Sequence, residues 1–98
     1  MRYDFEWDNR KAANNIRKHN ITFERAATIF RDPNVLSIPD EEHSEPEERW
    51  LTMGLDETGI LLVISHSFNV FDAEVWKIRI ISARKATTTE ETQYEEGI

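Results

Sequence analysis

The sequence predicts an α+β domain: an antiparallel sheet with two N-terminal helices packed on one face and a third helix at the C-terminus. Three observations predict it. The first eight residues alternate between apolar and charged, the period of a strand. Residues 9–33 place apolar side chains at helical spacing instead. From Val35 the pattern becomes short runs of branched and aromatic residues divided by turn signals. Helices segregated from a run of strands define the α+β class, and 98 residues suit one domain spanning 1–98.

Tyr3, Phe5 and Trp7 alternate with Asp4, Glu6 and Asp8 in the first strand. Asp8 supplies an N-cap, and NRKAANNIRKHN, 9–20, reads as the first helix, with Ala12, Ala13 and Ile16 as a narrow apolar stripe. Lys18 and His19 fall in its last turn, where cations complement the helix dipole. Thr22 caps a second helix, in which Phe23, Ala26, Ala27 and Phe30 share one face. Asp32-Pro33 ends it, because the residue before a proline avoids the helical region. VLSI, 35–38, is a short strand. An acidic loop follows, with Pro39 and Pro46 as breakers. ERWLTMGL, 48–55, alternates as a strand, and DETG, 56–59, is a turn in which Gly59 takes positive φ. ILLVISH, 60–66, is apolar on both faces and reads as a covered central strand. SFNVFD, 67–72, reads as a loop, and EVWKIRIIS, 74–82, as the last strand. ATTTEETQYEE, 86–96, reads as the third helix, with capping-box spacing at Thr87 and Glu90 or at Thr88 and Glu91.

Hydrophobic residues are 39% of the chain, enough for one core. A domain of this size buries only a little over ~60% of its unfolded surface, so a partner subunit would add stability. The chain has no cysteine, which excludes a disulfide framework, a thiolate metal site and a cysteine nucleophile. MRYDFEWDNR lacks the apolar segment of a signal peptide. The longest apolar run, Ile60 to Ile64, is far short of the ~20 residues of a membrane span. A cytoplasmic protein without membrane association is expected. The net charge of −7 argues against binding nucleic acid over the whole surface. The acids concentrate in DEEHSEPEE, 40–48, and EETQYEE, 90–96. The cations concentrate at Arg10, Lys11, Arg17 and Lys18 and in KIRIISARK, 77–85.

On the last strand, Ile78, Ile80 and Ser82 share one face and Lys77, Arg79 and Ile81 the other. With the isoleucines under the helices, Arg79 points to the open face of the sheet, where it binds a ligand or pairs with acids of neighbouring strands. Arginine suits a phosphate, because its fork donates two parallel hydrogen bonds and stays ionised. Arg84 binds phosphate or pairs with Glu47 or Glu48. His66 is a core histidine or an acid–base group titrating near neutrality. His19 is a helix-terminal cation or a second such group, and His43 pairs with its acidic neighbours. Glu47 and Glu48 form a salt-bridged strand end or supply a base, and Arg49 is a candidate phosphate ligand. Trp50, Trp76 and Tyr94 stack on bases, or, for Trp50, pack in the core. No HExxH or comparable spacing occurs, so neither a metal nor another cofactor is expected.

FEWD (5–8), RKHNITFERAATIFRDP (17–33), HSEPEERWLTMG (43–54), LLVISH (61–66) and RIISARKAT (79–87) resemble, in this order, the BrnT family of toxins from type II toxin–antitoxin pairs. The resemblance covers nearly the whole chain. It implies a RelE-like fold and a metal-independent endoribonuclease that inhibits translation by cleaving RNA. It implies neutralisation by a BrnA-like antitoxin with a ribbon-helix-helix DNA-binding domain, through which alone the pair reaches operator DNA. In that chemistry a base takes the 2′-OH proton, the oxygen attacks phosphorus, and an acid protonates the leaving 5′-oxygen. Arg79 and Arg84 are then expected to stabilise the transition-state charge, worth about 3 kcal/mol per donor. His66 or His19 would move protons, and Lys18, Arg49 and Lys77 would hold the RNA backbone. One segment departs from the family pattern. Where a short polar turn is implied, SFNVFDAEVWK stands between His66 and Ile78, with Val70, Phe71, Val75 and Trp76, as an added contact surface or a longer hairpin. The alternative is an inactive module of the same fold, acting as a co-repressor or protein-interaction subunit.

Overall fold

A computed structural model describes residues 2–43, 47–70 and 72–97. Pro46 and Phe71, expected as a loop breaker and an apolar contact, lie outside the described residues. β1 (Arg2–Trp7) leads into α1 (Asn9–His19) and α2 (Phe23–Ala27), which tightens into a 3₁₀ turn over Thr28–Arg31. Then come β2 (Leu36–Pro39), β3 (Trp50–Leu55), β4 (Leu61–Val70), β5 (Val75–Lys85) and α3 (Thr88–Glu96).

The strands form one sheet in the order β1-β5-β4-β3-β2. β2 to β5 pair antiparallel, but β1 pairs parallel with β5, Trp7 beside Ile80. The sheet is therefore mixed, where an antiparallel one was expected. The cause is the connection after β1. Turns join antiparallel neighbours, whereas two helices carry the chain across the sheet to its far edge and leave β1 to pair outside β5.

The helix caps follow the sequence. Asp8 accepts hydrogen bonds from the N–H groups of Arg10 (2.8 Å) and Lys11 (3.1 Å), and Thr22 accepts from that of Arg25 (3.1 Å). Asn20 closes α1 in the left-handed conformation at φ 57°. The buried position of α1 is not the expected stripe, because Ala13 and Ile16 are exposed and Asn15 is buried. β1 ends at Trp7, so the stretch of β5 beyond Ile80 lacks a strand on that side. Asn15 takes that place. Its amide donates to the carbonyl oxygens of Ala83 (2.9 Å) and Ile21 (3.0 Å), and its oxygen accepts from the Ala83 N–H (3.0 Å).

α2 buries Phe23 and Ala26. The tightening at Thr28 brings Ile29 into line with Ala26, since a 3₁₀ helix eclipses positions i and i+3. Ile29 is thus fully buried, while Phe30 packs at the core's edge. β3 runs so close to this turn that a Cβ on Gly54 would stand 3.1 Å from the Ile29 carbonyl oxygen. These groups meet Leu62, Ile64, Ile78, Ile80 and Ala83 of the sheet, with Phe5, Trp7 and Phe68 around them.

The expected loop over 67–72 is largely strand. β4 runs on to Val70, with Phe68 opposite Ile78 and Val70 opposite Trp76. The Phe68 and Trp76 rings stack diagonally across the hairpin at 5.4 Å, which favours pairing over a loop. α3 begins with the capping box at Thr87 and Glu90. It lies on the sheet face opposite α1 and α2, where Glu90 and Gln93 border a cleft of about 250 Å³ with Leu36, Leu51, Met53 and Val63. α3 buries none of its described residues. Polar ties hold it instead, among them the Tyr94 hydroxyl donating to Asp32 Oδ2 at 2.5 Å.

Candidate functional site

A β-bulge in β5 builds the open face. Ser65 pairs with Ser82 and His66 with Ile80, so Ile81 is an extra residue. The expected alternation therefore breaks after Ile80. Ala83, rather than Ser82, joins Ile78 and Ile80 in the core. Ser82 and Arg84 turn to the side of Lys77 and Arg79, because one inserted residue reverses every facing beyond it. The two arginines thus come to share a face. Opposite them stand Ser67 for Arg79 and Val63 for Arg84 on β4, and Glu6 on β1 beside Arg79.

The two guanidinium groups are held differently. Arg79 is 46% exposed and lies 3.9 Å from the Glu6 carboxylate, itself 44% exposed. Such a pair is worth less than about 1 kcal/mol, so a phosphate competes with it readily. Arg84 donates Nη1 to Glu90 Oε1 (2.7 Å) and Nη2 to Glu90 Oε2 (2.9 Å). Those bonds, aided by the Thr87 N–H and opposed by burial, bring the Glu90 carboxyl down to about 2. The same partner raises Arg84 further. Arg84 therefore pairs with an acid of its own cap, not with Glu47 or Glu48.

His66 lies on the other side of the sheet. It is 3% exposed, beneath Phe30, whose ring meets it edge-on at 5.3 Å. Nδ1 donates to the Ser67 carbonyl at 3.3 Å, which leaves Nε2 to accept from Thr52 Oγ1 at 2.6 Å. Thr52 in turn accepts from Ser37 Oγ at 2.7 Å. Burial lowers the His66 pKa, so the ring is neutral at pH 7.

The other expected residues spread out. Lys18 and His19 are exposed at the end of α1, on the helix side. Arg49 is half-buried just before β3, where its carbonyl accepts from the Asp40 N–H at 2.8 Å. Lys77 is half-buried on the face of Arg79, across from Asp4 and Asn69. Glu47 and Glu48 are exposed in the β2–β3 loop. His43 pairs with Asp40 at 3.0 Å. Tyr94 is tied to Asp32, and burial together with that carboxylate pushes its hydroxyl up to about 12. Trp50 is half-buried against Phe68. The hydroxyls of Ser65, Ser67 and Ser82 around the arginines, and the Thr52–Ser37 chain behind His66, had no sequence signal, since only strand pairing assembles them.

Among the described residues, no group of three or more His, Asp or Glu stands where it would hold a metal ion. Among them, no helix is long and apolar enough to cross a membrane.

A family model described as "Ribonuclease toxin, BrnT, of type II toxin-antitoxin system" matches residues 7–90. A crystal structure of the Brucella abortus ribonuclease toxin BrnT is similar to this chain with a TM-score of 0.60 at 20% identity, over 90% of this chain and 100% of that one. No curated protein matches the chain.

Proposed function

The chain belongs to the BrnT family of type II toxin–antitoxin ribonuclease toxins, and on that premise we propose that it is a metal-independent endoribonuclease that inhibits translation. The observation that carries this reading is Arg79, loosely held on an open face beside Lys77, Ser67 and Ser82. Arg79 binds the scissile phosphate and stabilises the charge that grows on its oxygens. Arg84 stands on the same face and positions α3 beside it through Glu90. The carboxylate paired with Arg79 is that of Glu6. In this reading Glu6 takes the 2′-OH proton, while His66 and His19 lie on the helix side. A ribbon-helix-helix antitoxin neutralises the toxin and carries the pair to operator DNA in the cytoplasm.

A second reading, an inactive co-repressor of the same fold, is favoured by the carboxylates beside both arginines. RNA cleavage in EDTA by the parent and by Arg79→Ala separates the two. Cutting by the parent, with a 2′,3′-cyclic phosphate product and a loss of about 100-fold or more in the variant, is expected. Equal rates would remove Arg79 from the site. No cutting of free or ribosome-bound RNA by the parent would favour the inactive module.

A further inference from the structure

A second cleft opens on the helix side of the sheet, behind the face of Arg79. It holds about 290 Å³ and is walled by Trp50, Phe68, Trp76 and Ile78, with Ser37 and His66 at its base. Trp50 and Phe68 meet at 5.4 Å and 57°, and Phe68 and Trp76 stack at 5.4 Å and 13°. The rings therefore surround one apolar space with both faces and edges. His66 brings no competing charge, because Nε2 is taken by Thr52 and its Nδ1–H by Ser67.

The rim of this cleft is acidic. Pro39 pairs with Trp50, so the β2–β3 loop leaves the sheet beside that ring, carrying Asp40, Glu41, Glu42, Glu47 and Glu48. Val70 pairs with Trp76, so the β4–β5 turn leaves beside the second indole, carrying Asp72 and Glu74. Fewer cations stand at this end of the sheet. Arg2 is paired with Asp4 at 3.1 Å, Arg49 is half-buried, and Lys77 faces away. A phosphate backbone is repelled here. A cation is drawn in, and aromatic faces hold a guanidinium or ammonium well when it is partly desolvated.

We propose that this cleft anchors an arginine or lysine side chain from a basic segment of the antitoxin. The identity of the partner rests on the toxin–antitoxin reading; the chemistry of the occupant rests on the rings and the acids. The cation lies against the indoles, its stem on Ile78, and neighbouring basic residues of the same segment face the two acidic loops. Cleft and cationic face are thus separate: one takes protein, the other RNA.

The test follows the indole N–H resonances of the full chain by NMR during titration with a tetra-arginine peptide. A tetra-citrulline peptide of the same shape without charge, and a uridine oligomer, run in parallel. The arginine peptide is expected to shift Trp50 and Trp76 but not Trp7, and to bind about tenfold or more tightly than the citrulline peptide. Trp76→Phe should keep that affinity, and Trp76→Leu should lose about tenfold. Neutralising the rim with Glu47→Gln and Glu74→Gln, both exposed, should weaken binding without touching the rings. Equal binding of both peptides, shifts confined to other residues, or preference of the two indoles for the RNA oligomer would overturn the proposal. Cleavage by the parent and its loss in Arg79→Ala are read independently, so an empty cleft leaves the toxin reading standing.

Discussion

Asn15 seats α1 on the sheet. Three hydrogen bonds join its buried amide to Ala83 and Ile21, much as a neighbouring strand would. Replacing it by alanine leaves buried backbone groups of β5 without partners, which costs more than the bonds themselves contribute. Asn15→Ala is expected to cost about 2–4 kcal/mol, and thermal unfolding should show a Tm lower by about 10 °C or more. A shift under about 3 °C would mean that α1 is seated by apolar packing alone. Nothing in NRKAANNIRKHN singles out Asn15 from Asn14, which is exposed. Its role comes from β1 stopping at Trp7, a fact of strand pairing.

α3 shows how a helix docks without an apolar face. None of its described residues is buried, and its ties run through Glu90, Thr87 and Tyr94. The Arg84–Glu90 pair is partly in water, with Arg84 at 40% exposure, so it contributes under about 1 kcal/mol after screening. That suffices to govern local opening of a helix so lightly held. Arg84→Ala is expected to speed hydrogen exchange across 88–96, and Glu90→Ala to speed it more because it also removes the capping-box bond from the Thr87 N–H, while β4 and β5 stay protected. Unchanged exchange in Arg84→Ala would show that the pair does not hold α3. Comparing RNA cleavage in these two variants then separates a phosphate contact of Arg84 from its effect on the helix. The capping box was legible at Thr87 and Glu90, because a cap is written in neighbouring residues. The partner of Arg84 was not, because it depends on the bulge at Ile81.

Stability of the fold depends on two carboxylates: Asp56, which joins α2 to the β3–β4 turn, and Glu90, which ties α3 to the end of β5. Burial opposes ionisation of Asp56, but hydrogen bonds from Thr58, the Ile60 N–H and Arg25 outweigh it and bring the carboxyl to about 2. Its side chain is fully buried, and the Arg25 bond spans 2.5 Å from α2 to the β3–β4 turn. Glu90 is lowered to about 2 as well, first by Arg84. A carboxyl whose folded pKa is depressed stabilises the fold fully above its unfolded pKa. That stability is lost as pH falls through the folded value. Stability against denaturant should therefore decline below about pH 6.5, where the unfolded chain protonates His66 and the buried ring resists, and weaken further toward pH 2, Asp56 contributing on the order of 2 kcal/mol. Asp56→Asn should be less stable at pH 6 and flatter below pH 4. An equally steep loss in that variant would assign the acid sensitivity elsewhere.

The caps at Asp8, Thr22 and Thr87, the turn at Gly59, the helix–strand order and the family were all written in the chain, because each rests on neighbouring residues or on motifs that keep their order. The parallel pairing of β1 and the two-sided arrangement of the site were not; the long β4–β5 hairpin was open in the sequence, which allowed either a loop or a longer hairpin there. A period of two says which residues alternate, but not which side faces the helices once a residue is inserted. Ile81 is that residue. It turns Arg84 toward Arg79, while His66, level with Ile80 on β5, stays in the core. Only pairing between segments far apart in sequence decides such a register, since the energy that fixes it comes from burying one face against the helices.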